Sequence, residues 1–280
     1  MTGITLPRRR FFRKSVVIPS EHGSWPWLLV PFFVGATVAS LVGTDGRAPL
    51  LPLVLTLVGG LSAFLMRQPA TVWLRIRRGR ANRADEPLAA GWVLGLASVA
   101  GLCLMSLLAL GRTALLWLLI PFTAILLLYL TAARSGRAGM RALWMELAGA
   151  VGLALMAPAA TIAITDHPSR LSWALWGLMG VQNALGVLYV RLRLANTRNR
   201  SGNRSMVLWG HTIGLAAMAV AGLSGWLPLL AVIPFAGFLA RAIWAVRQPR
   251  PITNVRRFGF TEVGVEALSG MWIVVSYLTT

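Results

Sequence analysis

The stretch AAGWVLGLASVAGLCLMSLLAL, from Ala89 to Leu110, decides the fold class. It contains no Asp, Glu, Lys, Arg or His. As a helix it rises about 33 Å, enough to cross the roughly 30 Å hydrocarbon core of a bilayer. Eight further runs of the same character follow or precede it: Trp27–Val42, Pro49–Met66, Ala114–Ala133, Leu143–Ile164, Trp173–Val190, Met206–Leu223, Trp226–Trp244 and Phe260–Leu278. The chain as a whole is 56% hydrophobic and 12% charged, with a mean hydropathy of +0.68. A soluble globular domain carries about twice that share of charge. The expected fold is all-α: a polytopic membrane helix bundle of about nine transmembrane helices, forming one domain over residues 1–280.

The charges set the expected orientation. Twenty-four of the 27 Lys and Arg residues fall on alternate sides of the nine runs. One side takes the N-terminal group from Arg8 to Lys14, the groups Arg67–Arg83, Arg134–Arg141 and Arg191–Arg204, and the group from Arg241 to Arg257. The other side keeps only Arg47, Arg112 and Arg170. Arg and Lys accumulate on the cytoplasmic side of membrane proteins, so the N-terminus is expected in the cytoplasm and the C-terminus outside. Residues 1–24 read as a basic, interfacial entry segment, and residues 67–88 and 191–205 as basic cytoplasmic loops. The run Arg8-Arg9-Arg10 resembles an export signal, but no small-residue cleavage site follows a short apolar region, so it reads as an anchor.

The net charge of +19 invites a nucleic-acid reading. Its confinement to short loops of one side makes topology, with an attraction for anionic headgroups, the better account. Nucleic acid is set aside. One cysteine, Cys103, excludes an intramolecular disulfide and a thiolate cluster. Three scattered histidines give no metal pattern, and no cofactor is expected. A ratio of 26 Arg to 1 Lys, with abundant Ala and Gly, has the flavour of a GC-rich bacterial genome. The expected location is a bacterial cytoplasmic membrane.

Ionisable groups inside a span are costly and therefore mark candidate sites. Glu146 opens the fifth run. Glu262 and Glu266 open the ninth at i, i+4, on one helix face. Gln182, Asn183 and Tyr189 lie in the sixth, His211 in the seventh and Arg241 near the end of the eighth. The turn Pro19-Ser20-Glu21-His22-Gly23-Ser24-Trp25 places an acid beside an imidazole at the entry to the first run. Glu21 and His22 are the candidate acid–base pair, since an imidazole changes charge near neutral pH. Arg67, Arg75, Arg191 and Arg193 are candidates for holding an anionic headgroup, because a guanidinium grips phosphate with two donors at once. The bland reading of each is the positive-inside bias, and of each carboxylate a structural ion pair. Prolines 31, 121, 158 and 234 fall within runs, where they free a backbone carbonyl and kink the helix. Arg-Gln-Pro occurs twice, at Arg67 and at Arg247, a weak sign of internal duplication.

Several of these pieces together resemble the YwiC-like family of bacterial membrane proteins: Pro19 with Glu21-His22-Gly23-Ser24-Trp25, Arg67-Gln68-Pro69, Glu146, Ala157-Pro158-Ala159-Ala160, Leu188-Tyr189-Val190-Arg191-Leu192-Arg193, and Glu262. A more distant likeness is to the UbiA superfamily of intramembrane prenyltransferases. It implies nine helices and sites after the second and sixth spans, where the long basic segments of this chain fall. Those enzymes hold Mg²⁺ with Asp-rich motifs. This chain reads Arg67-Gln68-Pro69-Ala70-Thr71-Val72-Trp73 in one such place and has no acid from Asn183 to Arg193 in the other. Arginine does not ligate Mg²⁺, so an anion would be held by guanidinium groups directly.

Three functions stay open on this reading. The first is binding of an anionic membrane lipid or isoprenoid in an inner-facing, UbiA-like cavity, with Glu21 and His22 as catalytic groups and Arg67, Arg75, Glu146, Asn183, Tyr189, Arg191, Arg193, Glu262 and Glu266 as the ligand-binding set. The second is a small-solute transporter using Glu146, Glu262, Glu266 and His211. The third is an accessory subunit of a membrane complex, whose protein partner the sequence does not name.

Overall fold

The computed structural model describes residues 12–17, 24–42, 49–79, 81–134, 138–198 and 202–279. Eleven α-helices appear among them: α1 (Lys14–Val17), α2 (Ser24–Val42), α3 (Leu50–Arg77), α4 (Glu86–Ala109), α5 (Leu119–Arg134), α6 (Ala138–Leu153), α7 (Met156–Thr165), α8 (Arg170–Thr197), α9 (Arg204–Leu223), α10 (Ile233–Arg247) and α11 (Val255–Leu278). Three 3₁₀ turns, Arg83–Asp85, Thr113–Leu118 and Leu229–Val232, lead into α4, α5 and α10. The fold is all-α, and among the described residues eight helical segments are long and apolar enough to cross a membrane. The ninth expected run, Ala114–Ala133, is the 3₁₀ turn followed by α5, whose apolar stretch is shorter.

Two expected loops are largely helical. Residues 67–88 hold the last three turns of α3, a 3₁₀ turn and the start of α4, and residues 191–205 hold the ends of α8 and α9. Arginine is a good helix former, and its long side chain reaches water or headgroups from a helix that continues past the hydrocarbon. The two Arg-Gln-Pro tripeptides accordingly differ: Pro69 sits inside α3, whereas α10 ends at Arg247.

The chain divides into two compact units, residues 1–22 with 54–109, and residues 23–53 with 110–280. In the first, α1 is tied to the basic end of α3 and the start of α4. Arg13 donates both to Asp85 Oδ1 (2.9 Å) and to Oδ2 (2.8 Å), Gln68 Nε2 donates to Ser15 O at 3.0 Å, and Arg77 pairs with Glu86 at 2.9 Å. Val16, Val17 and Ala89 form a small core beneath them.

In the second unit α7 is the centre. Met156 through Ile164 are all buried, against α2, α8 and the turn before α5. Small residues allow this. A Cβ at Gly35 of α2 would stand 2.3 Å from the carbonyl oxygen of Ala157, so the two backbones meet with no room for a side chain. Elsewhere large apolar side chains such as Leu119, Ile120, Ile213 and Leu268 face outward, as a lipid-facing surface requires.

Proline sets the remaining connections, because inside a helix it removes the donor for the carbonyl four residues earlier. Pro31 frees the carbonyl of Trp27, and Asn183 Nδ2 on α8 donates to it at 3.0 Å. Pro234 stands in the first turn of α10, where no helical donor is lost, and the Trp272 indole on α11 donates at 2.9 Å to Leu230 O, which also accepts from Ile233 N. Pro158 breaks the fifth run: Ala154 O is taken by Ala157 N at 3.0 Å, Leu155 N turns to Gly152 O at 3.1 Å, and Val151 O receives the Trp176 indole at 3.2 Å. The connection α9–α10 is a Schellman turn. Gly225 is left-handed (φ 71°), Trp226 N reaches Ala221 O at 2.8 Å and Gly225 N reaches Gly222 O at 3.0 Å.

A substitution pair tests the proline rule. Asn183→Ala leaves the Trp27 carbonyl buried without a donor and is expected to cost about 1–3 kcal/mol. Pro31→Ala restores the missing N–H, so the same Asn183→Ala change is expected to cost less in that background. Thermal unfolding of the four proteins in detergent measures the difference; equal costs in both backgrounds would refute the coupling.

Candidate functional site

Two helix stripes in the second unit face each other and carry polar side chains into the bundle. On α8, Gln182, Gly186, Tyr189 and Arg193 recur at i, i+4, i+7 and i+11. On α11, Phe258, Glu262, Glu266 and Ser269 recur at i, i+4, i+8 and i+11. The stripes meet in opposite chain directions. Gln182 reaches Glu266 and Ser269, while Tyr189 and Arg193 reach Phe258. The eleven helical steps from Gln182 to Arg193 span about 16 Å along the helix axis, roughly half the hydrocarbon thickness.

At the deep end, Gln182 Nε2 donates to Glu266 Oε2, and Ser269 Oγ donates to Gln182 Oε1 at 2.7 Å. The Ser269 bond therefore fixes which end of the amide faces the carboxyl. Glu266, Gln182 and Ser269 are all buried. Gly186 makes room for the pair: a Cβ there would lie 3.4 Å from Trp27 Nε1 and 3.6 Å from Glu266 Oε1. Asn183, next to Gln182, uses both amide protons on backbone, Trp27 O at 3.0 Å and Ala150 O at 2.9 Å, and so joins α8 to α2 and α6.

One turn nearer the α8 C-terminus, Arg241 of α10 grips Glu262 with two donors, at 3.3 and 2.9 Å, and its guanidinium lies 3.8 Å from the centre of the Tyr189 ring. Tyr189 stacks on Phe258 at 6.4 Å. Arg193 lies 5.7 Å from Phe258 and 5.9 Å from Trp244, and Arg250 lies 5.9 Å from the same Trp244. The result is a layered stack of guanidinium groups and aromatic rings. Asn254 caps α11 by accepting from Arg257 N at 3.0 Å, and Ile252 N donates to Thr197 Oγ1 at 2.9 Å, which fixes the connection between α10 and α11 to the end of α8.

The structure thus brings together Tyr189, Arg193, Glu262 and Glu266, and pairs Arg191 with Glu146 at 2.8 Å nearby on α8 and α6. His211 is buried on α9, its Nδ1 2.8 Å from the carbonyl of Val207 on its own helix. Arg67 and Arg75 lie exposed on α3 in the other unit, Arg67 with its guanidinium 5.6 Å from the Phe64 ring. Glu21 and His22 lie outside the described residues. Sequence reasoning left out Ser269, Phe258, Trp244 and Trp27. Extending the Glu262–Glu266 spacing by one turn each way reaches Phe258 and Ser269; Trp244 and Trp27 have no comparable signal.

Residues 18–161 of the chain match the family described as YwiC-like protein. No curated protein and no solved structure matches the chain. The match takes in Trp27, Glu146 and the Gly35–Ala157 contact, and it ends before α8, so the stack of α8, α10 and α11 rests on its own geometry.

The two ion pairs should differ in worth. Arg241 and Glu262 are 23% and 18% exposed, Arg191 and Glu146 35% and 49%. Arg241→Gln strands a largely buried carboxylate and is expected to lower stability by about 3 kcal/mol, with partial recovery in Arg241→Gln/Glu262→Gln. Arg191→Gln is expected to cost under about 1 kcal/mol. Thermal melts of the purified variants decide; equal losses would remove the distinction.

Proposed function

Taking the chain as the member of the YwiC-like protein family that its match over residues 18–161 makes it, we propose that this multi-pass membrane protein binds an anionic amphiphile, a lipid or an isoprenoid, by its headgroup at the Arg193 end of the α8–α11 stack. The proposal includes the orientation read from the charges, with that end toward the cytoplasm, and a cavity of the UbiA-like kind walled by α8, α10 and α11.

The observation that carries the reading is the state of Arg193. Its neighbours Arg191 and Arg241 are each paired with a carboxylate. Arg193 is part-buried and has no carboxylate partner among the described residues, and its Nε is buried without a hydrogen bond. Phe258 and Trp244 hold the guanidinium in place through their ring faces. A cation fixed at this depth, with donors still to satisfy, suits a phosphate or carboxylate headgroup. Exposed apolar side chains close by, Trp244 and Phe260 among them, suit the chains of the same ligand.

Binding fits this interface better than passage across it. Beyond Gln182 and Ser269 the two stripes continue as Met179, Leu178 and Leu175 on α8 and Ile273 on α11, all at 0% exposure. The ionisable part of the stack ends there, and the next buried polar groups on the two stripes are the hydroxyls of Ser172 and Ser276. Arg67 and Arg75, in the other unit, remain candidates for holding an anionic headgroup in their own right, and Glu21 and His22 are the groups to substitute first should turnover of a bound ligand be found.

Native mass spectrometry of gently purified protein, with lipid extraction, tests the proposal. A bound anionic lipid or isoprenoid is expected, reduced about tenfold in Arg193→Gln, the effect of losing a charge-assisted contact. Arg204→Gln, at the exposed start of α9, is expected to leave it unchanged. Bound lipid indifferent to Arg193→Gln would overturn the headgroup site.

A further inference from the structure

Charge is unbalanced at the deep end of the same stack. Glu266 is 7% exposed, three turns into α11, and forms no ion pair among the described residues. Arg241 serves Glu262, one turn away on the same face, with both of its terminal nitrogens. Two carboxyl groups at i, i+4 therefore have the one hydrogen-bonded guanidinium of Arg241, with Arg193 acting on Glu262 only at longer range. In a low-dielectric interior a carboxyl group is either matched by a cation or carries its proton.

The other groups around Glu266 do not supply the missing charge. From α8 come the neutral Gln182 and Asn183, with Arg193 farther along the stripe against Phe258 and Trp244. From α2 comes the Trp27 indole. On α9, His211 is held to Val207 O and lies toward Arg241. From α10 comes Arg241. On α6, Glu146 is taken by Arg191. The contacts of the carboxyl itself are N–H donors, from Gln182 and on the Trp27 side, and these suit a carboxyl oxygen but oppose a metal cation, which needs lone pairs.

We propose that Glu266 is a proton-binding site, and that Glu262 and Glu266 share Arg241 as a two-position switch. With a proton on Glu266, Arg241 grips Glu262, which is the arrangement described above. When the proton leaves to water, the guanidinium is drawn toward Glu266, still within reach along one helix face. No bond other than O–H is broken or made. Resting further on the headgroup site at Arg193, the proposal makes anion binding proton-coupled. An anion there adds negative charge to a stack that already holds two carboxyl groups, so it favours the protonated form. By linkage the anion binds more tightly as pH falls, with one proton taken up.

Infrared difference spectroscopy of the full chain in bilayers, titrated from about pH 5 to pH 8, tests the proton site without any ligand. A carbonyl band of a protonated carboxylic acid is expected, absent in Glu266→Gln. In Glu262→Gln, Arg241 is released to Glu266 and the band should vanish at pH values where the unmodified protein shows it. Ser269→Ala keeps the carboxyl and only unlocks Gln182. It should shift the band's frequency, which guards against a Glu266→Gln protein that does not fold. No band that responds to Glu266→Gln or Ser269→Ala overturns the proton site, and a band indifferent to Glu262→Gln overturns the sharing of Arg241. The coupling is read separately, from binding of short-chain phosphatidic acid against pH. Affinity should fall by up to about tenfold per pH unit above the titration and become flat in Glu266→Gln. Binding that is flat in both proteins overturns the coupling alone. Binding at no pH overturns the headgroup site and leaves the infrared result standing.

Discussion

A backbone carbonyl that loses its helical donor inside a membrane has no water to turn to, and this constraint shapes the second unit of the protein. The proline at position 31 and the break at Pro158 each free a carbonyl. Each finds a side-chain donor on α8, Asn183 for Trp27 and Trp176 for Val151. The freed carbonyls act as sockets and the donors as plugs, so α8 is fixed to α2 and α6; the Trp272 indole separately ties α11 to Leu230 O in the turn before α10. Lipid offers no hydrophobic drive for helix pairing, so bonds of this kind and close small-residue contacts such as Gly35 on Ala157 carry much of the specificity.

The same economy of partners explains the arginines. A basic chain of this sort would be expected to show its cations as a uniform cytoplasmic fringe, and many of them are that. Among the described residues four are committed to carboxylates: Arg13 to Asp85, Arg77 to Glu86, Arg191 to Glu146 and Arg241 to Glu262. Others rest on aromatic faces, as Arg193 does on Phe258 and Trp244. Sorting them this way separates cations that hold the protein together from Arg193, whose surroundings are arranged yet leave it without a carboxylate in hydrogen-bond contact among the described residues.

The apolar runs were legible because twenty residues without charge have few other uses, and eight of the nine expected spans appear as membrane-length helices. The end of helix α3 was not legible, since arginines that signal a cytoplasmic side say nothing about whether the backbone stays helical there. The break within the fifth run was half legible: Pro158 announced it, but only the fold shows that α7 is buried on every side. At the site, the i, i+4 spacing of Glu262 and Glu266 placed them on one face correctly. That Glu262 has an arginine and Glu266 an amide depends on α10 and α8 arriving at different heights, which no local spacing encodes. Gly186 reads in the sequence as one small residue among many, and its meaning comes from the two side chains packed over it.

The burial of α7 also bears on how the protein is made. Most transmembrane helices enter the bilayer because lipid welcomes their side chains. From Met156 to Ile164, α7 shows lipid almost nothing, and its neighbours are α2, already synthesised, and α8, which has yet to leave the ribosome. Until α8 arrives, one flank of this short, proline-started helix has no protein beside it. Its final seat is therefore a product of assembly rather than of insertion, and the order of synthesis makes α8 the helix that closes the bundle around it.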